Sequence, residues 1–150
     1  MSVHFKICVD CADPHLLADF WAEALGYVVR DDSSLIERLL AQGHIGEDLL
    51  VEIDGRKAWK TAAAISAPAD PAAPQDGIGQ GRLMLFQSVP ESKLVKNRMH
   101  LDLHFGLDRI EAEADRLERL GAKRLGTGEE GPSRWIVMAD PEGNEFCVHS

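Results

Sequence analysis

A chain of 150 residues carries a formal charge of -9 at pH 7, a pI near 5.0 and 45% apolar residues. That length and apolar content fit one domain able to bury a core without disulfide or metal staples. The acidity excludes nucleic acid and anionic membrane as partners, since both need a basic surface to displace counterions. No apolar run approaches the ~20 residues of a membrane span, and the N-terminus lacks a charged region followed by an apolar core. Three cysteines, Cys8, Cys11 and Cys147, are too few for a disulfide framework. A cytoplasmic protein is expected.

In chain order, Val3-His4-Phe5-Lys6-Ile7-Cys8-Val9 alternates apolar and other residues, which predicts a strand ending at Asp10-Cys11-Ala12. Cys8-Val9-Asp10-Cys11 spells a CxxC. Redox pairs usually open a helix and structural zinc needs two more ligands nearby, so strand-end thiols, one of them buried, are expected instead. Asp13-Pro14 supplies an N-cap and a first-turn proline. Leu17, Phe20, Trp21, Ala24 and Leu25 follow at helical spacing, and Gly26 is the stop. A strand over Tyr27–Arg30 comes next.

Between Asp31 and Gly81 the pattern loosens. Ser34 to Ala41 suits a short helix, Leu49 to Ile53 a strand, and Lys60 to Ala67 a second strand or an apolar helical turn. The prolines of 68–77 make a loop, because they sustain neither ladder. Arg82 to Val89 reads as a strand.

The second half repeats the order. Met99 to Phe105 predicts a strand whose alternation sets His100 and Asp102 on one face. Asp108 with Glu111 spells a capping box. Ile110, Ala114, Leu117 and Leu120 line one helical face, and Gly121 stops it. Arg134 to Ala139 and Glu145 to His149 are strands about a tight turn at Asp140–Asn144, with Gly143 at positive φ. Asp13 and Asp108, Leu25 and Leu120, and Gly26 and Gly121 are each 95 residues apart, which implies an internal duplication.

Four segments carry a family resemblance: Phe20-Trp21 with Leu25-Gly26-Tyr27; Lys96-Asn97-Arg98-Met99-His100-Leu101-Asp102-Leu103; Leu120-Gly121-Ala122; and Trp135 with Asp140-Pro141-Glu142-Gly143-Asn144. In this order they resemble the glyoxalase/bleomycin-resistance/dioxygenase proteins, the vicinal oxygen chelate superfamily, and in particular its glyoxalase-like branch. The resemblance implies an α+β fold of two paired βαβββ modules whose curved sheets enclose a cavity, within a single domain spanning 1–150. Module 1 would cover about 1–90 with an insertion at 31–81, and module 2 about 97–150. A homodimer is also implied.

Metal-using members of the superfamily take ligands from the first and last strands of each module. On that pattern the ligands here fall on His4, Gln87, His100 and Cys147, with Glu145 sharing the side-chain parity of Cys147. In the first strand the 95-residue offset carries His100 onto Phe5, between His4 and Lys6; a one-residue slip chooses either, and His4 is the chemically sensible choice. The set lacks the usual carboxylates, so no cofactor is favoured. The alternative is a divalent metal: zinc, which accepts histidine and thiolate, or iron, nickel or manganese.

The resemblance and the residues together point to a small organic ligand, with metal-independent lyase or isomerase chemistry. His100 is the candidate acid-base and Asp102 its orienting partner. Lys96 and Arg98, with Lys93, concentrate positive charge able to hold a carboxylate or phosphate. Gln87 and Trp59 are further ligand-binding candidates, Trp59 lying in the insertion over the cavity mouth. Trp21 and Trp135 are expected in cores, and His15, His44 and His149 at surfaces or strand ends. The alternatives are a metal-dependent lyase, isomerase or dioxygenase using His4, His100 and Cys147 or Glu145, and a resistance protein that sequesters a drug without turnover.

Overall fold

A computed structural model describes residues 5–68 and 83–150, so His4 and most of the proline-rich loop at 68–77 lie outside the described residues. The chain divides into two units, 1–90 and 91–150. The first contains β1 (Ile7–Cys11), α1 (Pro14–Leu25), β2 (Val28–Val29), α2 (Ser33–Ala41), β3 (Leu50–Ile53), β4 (Arg56–Trp59), β5 (Ala62–Ser66) and β6 (Leu83–Ser88). Its main sheet has the order β1-β6-β5-β2, with β1 and β6 parallel.

The α1 helix begins and ends as its sequence dictates. The Asp13 side chain accepts the N–H groups of His15 and Leu16, and Gly26 closes the last turn at φ 66, a conformation cheap only for glycine. The helix packs Leu17, Phe20, Trp21 and Ala24 toward β5 and β6, where Ile65 and Phe86 are fully buried. Cys8 is exposed and Cys11 buried, because residues three apart on a strand point to opposite faces. The CxxC is therefore no joint site.

Two elements of this unit differ from the sequence reading. The strand expected over Tyr27–Arg30 shrinks to Val28–Val29, which pairs only with Ser66 and Ile65. The β3–β4 hairpin was not anticipated in full, although Asp54-Gly55 signals it: both residues take positive φ, 49 and 75, as a tight hairpin turn requires.

The second unit contains β7 (Asp102–His104), α3 (Ile110–Arg119), β8 (Lys123–Glu130), β9 (Ser133–Ala139) and β10 (Glu145–His149). Its sheet order is β7-β10-β9-β8, again with the first and last strands parallel. Both units thus share one βαβββ connectivity, and the fold class is α+β. The α3 helix packs Ile110, Ala114 and Leu117 toward β8, β9 and β10, and Ile136, Met138, Phe146 and Val148 are almost wholly buried with them. Replacing Leu117, which is 0% exposed, by alanine is expected to cost about 2–5 kcal/mol in urea unfolding. A cost below about 1 kcal/mol would show that α3 does not carry this core.

Here too the sequence reading needs correction. Asp108 and Glu111 form no capping box. The Arg109 N–H instead bonds the Gly106 carbonyl in a turn that delays the helix, Arg109 takes the cap position without a side-chain capping bond, and Glu111 pairs with Arg124. The strand expected over Met99–Phe105 contracts to Asp102–His104, leaving Met99 90% exposed. The β8 strand was hidden by its charges, its glycines at 126 and 128 and a register shift between Arg124 and Gly126.

Candidate functional site

Strand alternation divides the second sheet cleanly. Phe146 and Val148 are buried on the core side, while Glu145, Cys147 and His149 occupy the opposite face. The same parity puts Asp102 and His104 of β7, and Trp135 and Val137 of β9, on that open face. Register then sets Cys147 between Asp102 and Val137, and His149 between His104 and Trp135. A cavity of about 400 Å³ opens here. Lys96, His100, Asp102 and Cys147 line one part of it, and Val137, Trp135, His149 and Glu130 another.

His100 Nδ1 lies 3.0 Å from Asp102 Oδ1. A carboxylate can only accept, so Nδ1 donates and Nε2 keeps its lone pair while the imidazole is neutral. Burial pushes the Cys147 thiol above its ordinary pKa. The charge of Asp102 and a hydrogen bond to it push the same way, while Lys96 opposes them. Asp102 therefore holds His100 and Cys147 at once, and one donor atom from each of the three lies within 4.8 Å of the others. Asp102→Asn removes the negative charge beside the thiol and is expected to speed alkylation of Cys147, whereas Lys96→Met slows it. Peptide-resolved mass spectrometry against exposed Cys8 checks both, and an unchanged Cys147 rate in Asp102→Asn would refute the coupling.

Glu145 has a separate task. Its carboxylate accepts the Asn97 N–H at 2.9 Å and pairs with Lys93 at 3.0 Å. The Asn97 bond, aided by Lys93 against the opposing desolvation, holds its pKa down to about 2. This lock fixes the 93–97 segment, which brings Lys96 to the cavity. An unfolded glutamate titrates near ~4.3, so the lock contributes fully above that pH and weakens as the pH falls toward 2. The Asn97 amide resonance is expected to titrate in this acid window, and a flat response would contradict the lock.

An aromatic row crosses the open face. The rings of His104 and His149 lie 4.7 Å apart, and His149 stacks on Trp135 at 5.5 Å with planes 10° apart. Trp135 in turn covers Gly128, where an added Cβ would come within 2.3 Å of the indole. Gly128→Ala is expected to displace Trp135 and shift its fluorescence. An unchanged spectrum would show that the ring does not depend on this glycine.

The structure thus gathers Lys96, His100, Asp102, Glu145 and Cys147 around one cavity. Register sets Asp102 opposite Cys147, just as Asp10 stands opposite Gln87 in the first unit, and His100 joins Cys147 beside the same Asp102 carboxylate. Gln87 Nε2 donates to Asp10 Oδ1 at 2.9 Å. Trp59 lies in β4 of the first unit, its carbonyl 2.9 Å from His15 Nε2. Arg98 is exposed and outside the cavity lining. Trp135 is half-buried on the open face and not in the core, and His149 lines the cavity as well. Sequence reasoning missed Glu130, Val137 and His149 as lining residues. Parity with Cys147 was the available signal for His149.

The sequence pattern of the glyoxalase-like domain matches residues 6–149. Among curated proteins none matches the chain. In structure it is similar to a glyoxalase/bleomycin resistance protein/dioxygenase family enzyme from Burkholderia phytofirmans PsJN, at TM-score 0.59 and 10% identity over 96% of this chain and 94% of that one. Fosfomycin resistance protein FosX from Mesorhizobium loti is similar at TM-score 0.60 and 11% identity, over 99% and 91% of the two chains. A FosX variant from Listeria monocytogenes, complexed with Mn(II) and 1S,2S-dihydroxypropylphosphonic acid, gives TM-score 0.59 and 11% identity over 99% and 90%. These identities speak to the fold alone. With the pattern spanning nearly every residue and the repeated βαβββ units beneath it, the chain belongs to the glyoxalase-like domain family.

Proposed function

We propose that the protein binds a small organic molecule on the open face of its second unit and moves a proton on it with His100, in a metal-independent lyase or isomerase step. One arrangement carries this reading: the His100–Asp102 pair within a cavity of about 400 Å³. Asp102 fixes Nδ1 as the donor, so Nε2 is the ring nitrogen that takes a proton from a carbon next to a carbonyl and returns it elsewhere. Lys96 supplies positive charge for an enolate or carboxylate formed beside it. The test is deuterium exchange into a panel of small carbonyl compounds in D2O. Exchange catalysed by wild type and lost in His100→Asn supports the reading, and no exchange with any compound retires proton transfer.

A second reading has its own observation, the convergence of His100, Asp102 and Cys147 within 4.8 Å. Imidazole, carboxylate and thiolate donors suit zinc, once the thiol gives up its proton. They suit hard Mn(II), the ion of the Listeria FosX structure, less well. A bound ion would act as a Lewis acid toward a ligand oxygen, while Lys96 would still hold charge nearby. Elemental analysis of protein purified without chelators decides between the readings. Near-stoichiometric metal lost in both His100→Ala and Cys147→Ala favours the metal.

The sparse cysteines and acidic surface support a reducing cytoplasm as the place of work. No described helix is long and apolar enough to cross a membrane. The exposed Leu94, Val95 and Met99 are apolar surface that a homodimer would cover, and sedimentation at micromolar concentration checks this.

A further inference from the structure

The charges around the cavity are unevenly compensated. Asp102 accepts from His100 and Cys147, and Glu145 is neutralised by Lys93 and bonded by Asn97. Two lining residues have no charged partner among the described residues. The Lys96 ammonium reaches only the Asn97 carbonyl, at 3.3 Å, and the Glu130 carboxylate makes no hydrogen bond or ion pair among the described residues. Its neighbour Glu129 instead faces Arg134.

These two charges occupy opposite ends. The segment carrying Lys96 is bonded at Asn97 to Glu145, the first residue of β10, and the charge of Lys96 is felt at Cys147. Glu130 pairs with Ser133, beyond the level at which Gly128, Trp135 and His149 align. Val137, opposite Cys147 where Lys96 is felt, and Ser133, opposite Glu130, are four residues apart along β9, about 13 Å at strand rise, so the two poles stand roughly 10–15 Å from each other. Between them the face holds apolar Val137 and the Trp135 indole, with the His149 ring stacked on it.

We propose that the cavity takes an elongated dipolar molecule, with its carboxylate or other anionic group at Lys96, its ammonium or guanidinium group at Glu130, and an apolar spacer across Val137 and Trp135. The inference rests on the small-molecule reading and narrows it. It also orders the ligand, because the anionic end lies beside His100 and is the end where a proton would move. The cationic end serves for selection.

The test uses straight-chain ω-amino carboxylates, from 4-aminobutanoate to 10-aminodecanoate, beside n-alkylamines and n-alkanoates of matched length. Binding is followed by the indole resonance of Trp135 and the imidazole resonances of His100. Exposed charge pairs are weak, so each pole is expected to add only about a three- to fivefold gain in affinity. The dipolar series should exceed both single-charge series and peak at an intermediate length that spans the poles. Lys96→Met should reduce its affinity to that of the amine, and Glu130→Gln to that of the carboxylate. Single-charge probes that perturb His100 and Trp135 as strongly as dipolar ones would overturn the dipolar assignment and leave the small-molecule site standing. If no probe of any class perturbs either residue, both ideas fail together.

Discussion

His100→Asn is expected to lower catalysed proton transfer by about 10²–10⁴-fold, the usual contribution of a positioned acid-base group, while moving the melting temperature by no more than about 2 °C. The contrast follows from the surroundings of the ring. His100 precedes β7, its side chain is 40% exposed, and its ring is hydrogen-bonded to Asp102. Little of the fold depends on it. Asparagine keeps a polar side chain near Asp102 but has no nitrogen that titrates near neutrality. Asp102→Asn should be milder in rate but should change the pH profile, since an amide can also donate to Nδ1 and so admits the wrong tautomer. Unchanged exchange together with a large fall in stability would make His100 a structural residue.

Asp140→Ala is expected to destabilise the second unit by about 3–5 kcal/mol. Asp140 is 2% exposed. Its Oδ1 accepts the backbone N–H groups of Glu142 and Asn144, and both carboxylate oxygens accept Asn144 Nδ2. The substitution strips these acceptors from a turn that also needs Gly143 at φ 88. That turn sets the register between β9 and β10, which carry Val137 and Cys147 into the cavity. Asp140→Asn retains one carbonyl acceptor and should lose roughly half as much. Urea unfolding checks both, and a loss under about 1 kcal/mol for alanine would mean that the turn is held by its backbone alone.

The parts of this molecule legible in sequence were those set by local chemistry. Asp13, Pro14 and Gly26 bound α1 as read, and Gly121 follows α3 as its repeat. Asp108 misled because cap residues are equally at home in turns, and here a turn from Gly106 to Arg109 took the segment. The pairing of His100 with Asp102 was visible as a spacing of two, although it forms where the strand has not yet begun. The partner of Cys147 was not visible. It depends on the parallel register of β7 with β10, a contact between residues 45 apart in sequence, and local patterns carry no register across such a distance. Glu130 stayed hidden for a related reason: its role depends on a β8 strand that charge and glycine disguise. The lock formed by Lys93, Asn97 and Glu145 likewise joins segments that no spacing rule connects.

A small-molecule site on the open face of the second unit should be seen first in the mapping of ligand-induced shifts. Small carboxylates and ω-amino carboxylates would be titrated into isotope-labelled wild type and into Val137→Trp, which fills the floor between Trp135 and Cys147. Shifts are expected to concentrate at His100, Trp135, Val137, Cys147 and His149 and to be lost when the floor is filled. Shifts that fall elsewhere, or that survive Val137→Trp unchanged, would contradict this site.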